Sequence, residues 1–407
     1  MSLALVLAVL QSVLALIWGI FVAYLLVLSV AALARPSRRL PTESRAAPLP
    51  RFAIIIPAHN EEGILEETLA SVRRLDYPRS RYEVIVVADN CTDRTAEVAR
   101  ALGATVHERH NPTQLGKGWA LGWIFDCLLK DRSDFAAFVV VDADSVLSPN
   151  FLSVMALEIR KGRSVIQAHN MVINGLEGWR PALMSISFSL MCYLRPLGRS
   201  RLGFSVGLKG NGMCLTSKVL TMVPWRASSL AEDVEYSLEL CLHGVRVAFA
   251  AQATVASRMP LSGKEARSQA IRWEFGRMGM IRRYLGRLLA RAIRSADLGC
   301  LDTALELSIP PMSLLFGFPL LLLLVDSLIW FGFGSPGSGV LGAYWAVIIA
   351  GEAIYVGIGI GLAQTSVHLF KALVHVPKYL LWKVWILTAG WLSKERAWTR
   401  TPRRRVQ

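Results

Sequence analysis

Two aspartates one residue apart, Asp142-x-Asp144, follow directly on an apolar run, and residues of this type suit metal–phosphate chemistry. Their hard carboxylate oxygens match Mg2+ or Mn2+ held jointly with the phosphates of a substrate. A solvated turn with helix-capping aspartates shows the same pattern, so the pair alone decides nothing. Lys117, within Leu115-Gly116-Lys117-Gly118, is a cation on a glycine-flanked loop that can approach phosphate closely. Glu232-Asp233 precedes an apolar helical stretch, so Asp233 reads either as a general base or as an acid at a helix N-terminus. Gln269-x-x-Arg272-Trp273 opens a basic segment, and its spacing of three and four sets these side chains on one helical face. Arginine recognises phosphate and tryptophan offers a stacking platform. As a bare pattern it is more often a plain helix surface.

The elements that must position these residues alternate. Phe52 to Pro57 is a short β-branched run expected as a buried strand, followed by a helical pattern over Glu61 to Arg74. Tyr82 to Ala88 is the next strand and Asp93 to Leu102 the next helix. A brief strand at Ala104 to His107, a helix over Trp119 to Leu129 and a strand over Phe135 to Val141 complete the series. This order predicts an α/β domain with a mainly parallel sheet and right-handed crossovers. Ligands bind such sheets beyond the carboxyl ends of the strands. His59-Asn60-Glu61-Glu62, Asp89-Asn90-Cys91-Thr92-Asp93 and Asp142-Ala143-Asp144-Ser145 stand at those ends. No GxGxxG follows the first strand and no GxxxxGK[ST] occurs, which excludes dinucleotide and P-loop signatures.

The composition calls for a membrane. Hydrophobic residues make up 53% of the 407 and charged residues only 18%. Leu3 to Ala34 carries no charge and is long enough to span a hydrocarbon core of about 30 Å. It is too long for a signal peptide and lacks a basic leader, although Ala32-Leu33-Ala34 resembles a cleavage site. Leu307 to Phe333 and Val340 to Leu369 form a second and third apolar stretch, joined by the turn-like Gly334 to Gly339 segment. Ala372 to Leu392 mixes His375, Pro377, Lys378 and Lys383 with Trp382, Trp385 and Trp391, a pattern suited to the headgroup level; a fourth span is the alternative. Asp326 and Glu352 fall inside spans and read as boundary or helix-facing acids. Arg35, Arg38, Arg39, Arg45, Arg51 and the basic tail place the middle region and the C-terminus in the cytoplasm of a multi-pass protein of the inner (plasma) membrane. The net charge of +15 points to anionic lipid or phosphate-bearing ligands. Nucleic acid is not expected, since no recognised module accompanies the arginines. The six scattered cysteines read as reduced thiols.

In order along the chain, Asp89, Asp142-x-Asp144, Glu232-Asp233 and Gln269-x-x-Arg272-Trp273 resemble the D, DxD, ED, QxxRW signature of membrane-embedded family 2 glycosyltransferases, a group that includes cellulose, chitin and hyaluronan synthases. Pro57 to Glu61, the Lys117-Gly118 pair and Lys209-Gly210-Asn211-Gly212 are also similar to that family, over roughly residues 50 to 300. The resemblance implies a GT-A fold and inverting transfer from a nucleotide sugar, usually UDP-linked. It implies that Glu61 and Asp89 hold the nucleoside and that Lys117 lies near the base or phosphates. Asp142 would contact the nucleotide and Asp144 the metal. Asp233 would take the acceptor proton, while Gln269, Arg272 and Trp273 close over the diphosphate and the acceptor mouth. Asn211, Gly212 and Glu232 would face the acceptor. Lys209 to Met213 departs from the aromatic-Cys-Gly-Ser-Gly segment of long-chain synthases, and the spans are few. Both features count against processive synthesis and keep single-sugar transfer to a lipid-borne acceptor open.

The expected organisation is a membrane helix over 1–34, a linker over 35–50 and a GT-A domain over 51–265. QxxRW and amphipathic interface helices follow over 266–300, then spans over 307–333 and 340–369 and an interfacial helix with a basic tail over 372–407. Arg267 to Arg294 holds eight arginines beside a stripe of Ile281, Leu285, Leu288, Ala292 and Ile293, expected to lie on the inner leaflet or to pack on the catalytic domain. The leading function is transfer of a sugar to a glycan acceptor in polysaccharide synthesis. The alternatives are a single-sugar transferase using a lipid or polyprenol-linked acceptor, and a non-catalytic membrane-anchored glycan-binding protein. Retention of Asp89, Asp142, Asp144 and Asp233 argues against the last.

Overall fold

The computed structural model describes residues 3–34, 48–131, 134–334, 336–363 and 366–392. Most of the linker and all of the basic tail beyond 392 lie outside them, as do Arg35, Arg38, Arg39 and Arg45. The chain opens with α1 (Leu3–Leu33). An alternating segment follows: β1 (Phe52–Ala58), α2 (Leu65–Arg73), β2 (Tyr82–Asp89), α3 (Thr95–Ala101), β3 (Thr105–Arg109), α4 (Lys117–Asp131) and β4 (Ala137–Val140). Next come β5 (Ser145–Leu147), α5 (Phe151–Arg160), β6 (Val165–Val172) and α6 (Trp179–Phe188). A π-helical stretch at Ser189–Leu194 leads into α7 (Arg195–Arg201), then β7 (Met213–Thr216), α8 (Ser217–Met222), α9 (Glu232–Leu242) and β8 (Val247–Ser257). The eight strands form one mixed sheet in the order β3-β2-β1-β4-β7-β6-β8-β5. The β3-β2-β1-β4 half is parallel, with Ile55 opposite both Ile85 and Val140, and β7 turns the sheet antiparallel.

Alternation along β1 explains why the sheet has two cores. Phe52, Ile54 and Ile56 face α2 and α5. Ala53 and Ile55 face α4, α8 and α9. All five are fully buried, and each isoleucine contributes about 1.5–3 kcal/mol of apolar burial. The expected helix over 61–74 begins only at Leu65. Before it, the Glu61 amide donates to Thr95 Oγ1 (2.7 Å) and the Glu62 amide to Asp93 Oδ2, so the first residues form a turn docked on the neighbouring loop.

Among the described residues three helices are long and apolar enough to cross a membrane: Val9–Leu33, Met312–Gly332 and Gly337–Leu362. They belong to α1, α12 (Met312–Phe333) and α13 (Pro336–Leu362). Before them run α10 (Gly263–Ser295) and α11 (Leu298–Ser308). After them a 3₁₀ segment, Val367–His375, precedes α14 (Val376–Leu392). Leu307, expected to open the second span, belongs instead to α11, because Pro310-Pro311 breaks the chain there. The expected turn from Gly334 to Gly339 is shorter too. Gly334 closes α12 at φ +62, and Pro336, whose missing N–H costs nothing at a helix start, already opens α13. Asp326 accepts from Gln11 Nε2 at 2.6 Å, and Glu352 is buried in the helical bundle.

The stripe on α10 corrects one expectation. Leu288 and Ala292 are buried, with Met280 and Tyr284, against α9 and α11, and Ile281 and Leu285 pack beside them. Only Ile293 stands out, at 82% exposure. Most of the stripe is thus used in packing on α9 and α11, and Arg283 and Arg287 pair with Glu235 and Glu239 on α9.

A buried ion pair ties α7 to α11 and, through Tyr24, to the first candidate span. Arg199 on α7 holds Asp302 on α11 at 2.5 and 2.9 Å, and Tyr24 of α1 donates to the same carboxylate at 2.7 Å. Gly198 lets α7 touch the α1 backbone: a Cβ there would lie 2.3 Å from the Leu28 carbonyl oxygen. Gly198→Ala is expected to destabilise the purified protein by about 1–3 kcal/mol through overpacking. Thermal unfolding in detergent reads this, and an unchanged Tm would mean that the crossing is looser than drawn.

Candidate active site

The carboxyl ends of β2, β1 and β4 lie side by side, so the loops that leave them share one rim. Asn60 and Asn90 take the left-handed conformation there, at φ 57° and 51°, which asparagine tolerates better than most residues. Asn60 Oδ1 accepts from the Thr92 and Asp93 amides, and Asn90 Oδ1 accepts from Asn111 N at 2.7 Å. Asp89 ends β2. It is buried and bound through Oδ1 by Arg109 at 2.6 Å, while Arg109 also donates to both oxygens of Gln114. Sequence reasoning missed Arg109, whose only signal was a basic residue at the end of a short strand.

Lys117 is not on a loop, as expected, but is the first residue of α4. Its ammonium donates to Asp142 Oδ1 at 2.5 Å and to the Gly210 carbonyl. Gly118, beside it, is required by packing. A Cβ there would meet the Ala227 carbonyl at 2.5 Å and Glu232 Cβ at 3.0 Å. The turn at 210–212 has φ +77° at Gly210 and +66° at Gly212. Bare Gly210 allows Asp233 to come close, since a Cβ there would sit 3.1 Å from Oδ2.

Two residues expected to face the acceptor make other contacts in the fold. Gly212 does not line the cavity; its missing Cβ makes room for Val255 and Ala168. Asn211 reaches the cavity wall, but its side chain is used internally. Oδ1 accepts from Asp142 N at 3.1 Å, and Nδ2 donates to Ser145 Oγ at 2.8 Å and Ser257 Oγ at 3.2 Å. Asn211 therefore positions the Asp142–Asp144 loop.

Glu232 and Asp233 occupy the first turn of α9. Burial, and then the charge on Asp233, pushes Glu232 up to about 7 against the pull of Lys117. Burial also raises Asp233, opposed by backbone amides at the helix start and by Lys117 and Lys209. Burial alone would depress Lys117, but Asp142, Glu232 and Asp233 outweigh it and hold the ammonium above its ordinary value. Ser262 caps α10 by accepting from Glu265 N, and Gly276 lets that helix approach Ala231 at the start of α9. This contact brings Gln269, Arg272 and Trp273 to the acids. Glu274, next to Trp273, is paired with Lys383 of α14 at 2.7 Å, both buried. Arg272 is half-buried and has no hydrogen-bond or ion-pair partner among the described residues.

Glu61, Asp89, Lys117, Asp142, Asp144, Glu232, Asp233, Gln269, Arg272 and Trp273 all line a single cavity of about 540 Å³. Among the described residues no group of three or more His, Cys, Asp or Glu side chains forms a closed metal site. Asp142 and Asp144 both reach the cavity wall, and carboxylate oxygens are the donor type that hard divalent ions take.

The family model described as "Glycosyltransferase like family 2" matches residues 50–276, more than half of the chain. The chain belongs to glycosyltransferase family 2. It is similar to the probable glycosyltransferase YdaM of Bacillus subtilis, at 24% identity over 58% of this chain and 57% of that protein. It also resembles the beta-monoglucosyldiacylglycerol synthase of Nostoc sp., at 28% identity over 48% of this chain and 42% of that one. The chain thus spans about half the length of these curated relatives. In fold it resembles the mannosyltransferase PcManGT of Pyrobaculum calidifontis, solved with GDP-Man and Mn2+, with a TM-score of 0.53, 15% identity and coverage of 95% of this chain and 98% of that one. The sheet and its flanking helices are GT-A-like.

The Asp89–Arg109 pair yields a test of the rim. Arg109→Met leaves a buried carboxylate uncompensated and is expected to cost about 3–5 kcal/mol. Thermal unfolding measures the loss; a shift of under a degree would show that Asp89 is solvated rather than paired.

Proposed function

We propose that this protein is an integral-membrane, inverting glycosyltransferase that moves a sugar from a nucleotide sugar, UDP-linked, to an acceptor presented at the cytoplasmic face of the plasma membrane. The observation that carries this reading is the convergence of Asp142, Asp144, Asp233 and Arg272, from three separate parts of the chain, on one cavity. Glu61 and Asp89 hold the nucleoside at the rim of β1 and β2. Lys117 fixes Asp142 on the diphosphate side. Asp142 and Asp144 would hold Mg2+ or Mn2+, which when bound neutralises charge on the departing diphosphate.

The transfer itself needs one base. Asp233 accepts the proton of the acceptor hydroxyl, and that oxygen forms its bond to C1 of the sugar from the face opposite the leaving group. The C1–O bond to the diphosphate breaks as its electron pair leaves with the nucleotide, which inverts the anomeric centre. Arg272, with no hydrogen-bond or ion-pair partner among the described residues, meets the charge that develops on the diphosphate. Gln269 and Trp273 close the mouth, Trp273 by stacking on a sugar ring. Burial and the charge on Asp233 push Glu232 up to about 7, so near neutral pH it is about half ionised and competes less for the proton than an ordinary glutamate.

The acceptor is best read as membrane-borne. The cavity wall includes Pro311, Met312 and Ser313 at the first turn of α12, a candidate membrane span. Three candidate spans, and a relative named as a glucosyldiacylglycerol synthase, support single-sugar transfer to a lipid-linked acceptor over polymer extrusion.

Asp233→Asn is expected to retain UDP binding while transfer falls about 10²–10⁴-fold. Because burial raises Asp233, the wild-type rate should climb with pH along an acid limb above the ordinary carboxylate range, and the variant should lack that limb. Loss of UDP affinity together with rate would assign Asp233 to the donor site. Asp144→Asn, and a chelator added to the intact enzyme, should each abolish nucleoside diphosphate release from UDP-sugars; full turnover in EDTA would remove the metal from the scheme.

A further inference from the structure

The cavity has two electrostatic ends. At one end the acids Asp142, Glu232 and Asp233 surround Lys117. At the other end the sign reverses. Arg195, Arg199, Lys209 and Arg277 all act on Glu306, and the second carboxylate there is Asp302, bound by Arg199. Four cations gather here around two carboxylates, with Asp233 acting on Lys209 and Glu274 on Arg277 from their own sides.

The individual groups differ in how far they are satisfied. Arg199 is satisfied by Asp302, and Arg195 by the Tyr355 hydroxyl at 2.8 Å and Glu306 at 3.4 Å. Arg277 spends Nη2 on the carbonyls of Glu306, Leu307 and Ile309 at the end of α11, and its buried Nε has no hydrogen-bond partner. Lys209 has none for its ammonium among the described residues. Burial holds it below its ordinary value, partly offset by Glu306. Both Lys209 and Arg277 line the cavity. A half-buried cation with unused hydrogen-bonding capacity is stabilised by a bound anion.

The same end is apolar in shape. Met184, Phe188 and Met191 come from the helix that runs into α7, and Leu307, Pro311 and Met312 from the approach to α12. Cation and hydrocarbon therefore meet at the level where a membrane span begins. We propose that this end is the acceptor headgroup subsite and that it takes a phosphate ester carried on a lipid, with the phosphate between Lys209 and Arg277 and the chain along Met191 and Met312. The proposal rests on the transferase reading and names its acceptor class. Lys209 also acts on Asp233, so an acceptor anchored there presents its nucleophilic oxygen to the base.

The test uses the full chain in detergent micelles and three probes: dioctanoyl phosphatidate, dioctanoylglycerol and inorganic phosphate. Calorimetry should show saturable binding of the phosphatidate, at least about tenfold tighter than either other probe. Lys209→Met should weaken it about tenfold or more, Lys209→Arg should restore most of it, and neither should change UDP affinity. Equal binding of dioctanoylglycerol would overturn the proposal in favour of a neutral acceptor, and equal binding of inorganic phosphate in favour of a free anion. Unchanged phosphatidate affinity in Lys209→Met, or joint loss of UDP binding, would overturn it as well. Failure of the wild type to bind UDP at all would instead strike the transferase reading, since the phosphatidate titration is read separately.

Discussion

One ammonium governs the chemistry of this site. Glu232 and Asp233 are brought beside Asp142, and burial raises the cost of ionising both acids of α9, with the charge of Asp233 adding to it at Glu232. Lys117 answers that cost. It is placed at the start of α4, is bonded to Asp142 and to the Gly210 carbonyl, and acts on both acids of α9. The loop after β4, the glycine turn before β7 and the first turn of α9 are thus tied to a single charge. Gly118 and Gly210 keep this arrangement sterically possible, because a methyl group at either position would press on the α9 acids or on the loop before them.

The site also depends on elements that do not belong to the sheet. Gly276 sets α10 against the start of α9, and the buried Glu274–Lys383 pair ties that same helix to α14. Arg272 and Trp273 therefore hang on a helix whose position is fixed partly by the soluble domain and partly by the helices next to the membrane spans. At the far end of the cavity, Arg199, Asp302 and Tyr24 join α7, α11 and α1. The acid-rich end is built by the sheet and the cation-rich end by the helical frame, so the cavity joins two parts of the chain with opposite electrostatics.

Strand and helix alternation, the apolar runs and the order of the acidic motifs were all legible from residue type and spacing. Burial on both faces demands β-branched continuity in β1, β2 and β4, and lipid demands length without charge. Local rules of this kind leave their mark on the chain. Boundaries were less legible where a turn docked elsewhere, as at Glu61 to Ile64, or where paired prolines separated Leu307 from the span.

Pairings between distant residues left no such mark. Arg109 on Asp89, Asn211 beneath Asp142, Gly276 against Ala231 and the gathering of cations around Glu306 join residues from roughly 20 to more than 100 positions apart. An isolated arginine, asparagine or glycine has the same local appearance wherever it points. Its role depends on which partner the chain topology delivers within a few ångströms, and hydrogen bonding and desolvation act only over that range. For that reason the motif acids could be picked out in the linear chain, whereas the charges that hold them, and the cationic chamber opposite, belong to the folded protein alone.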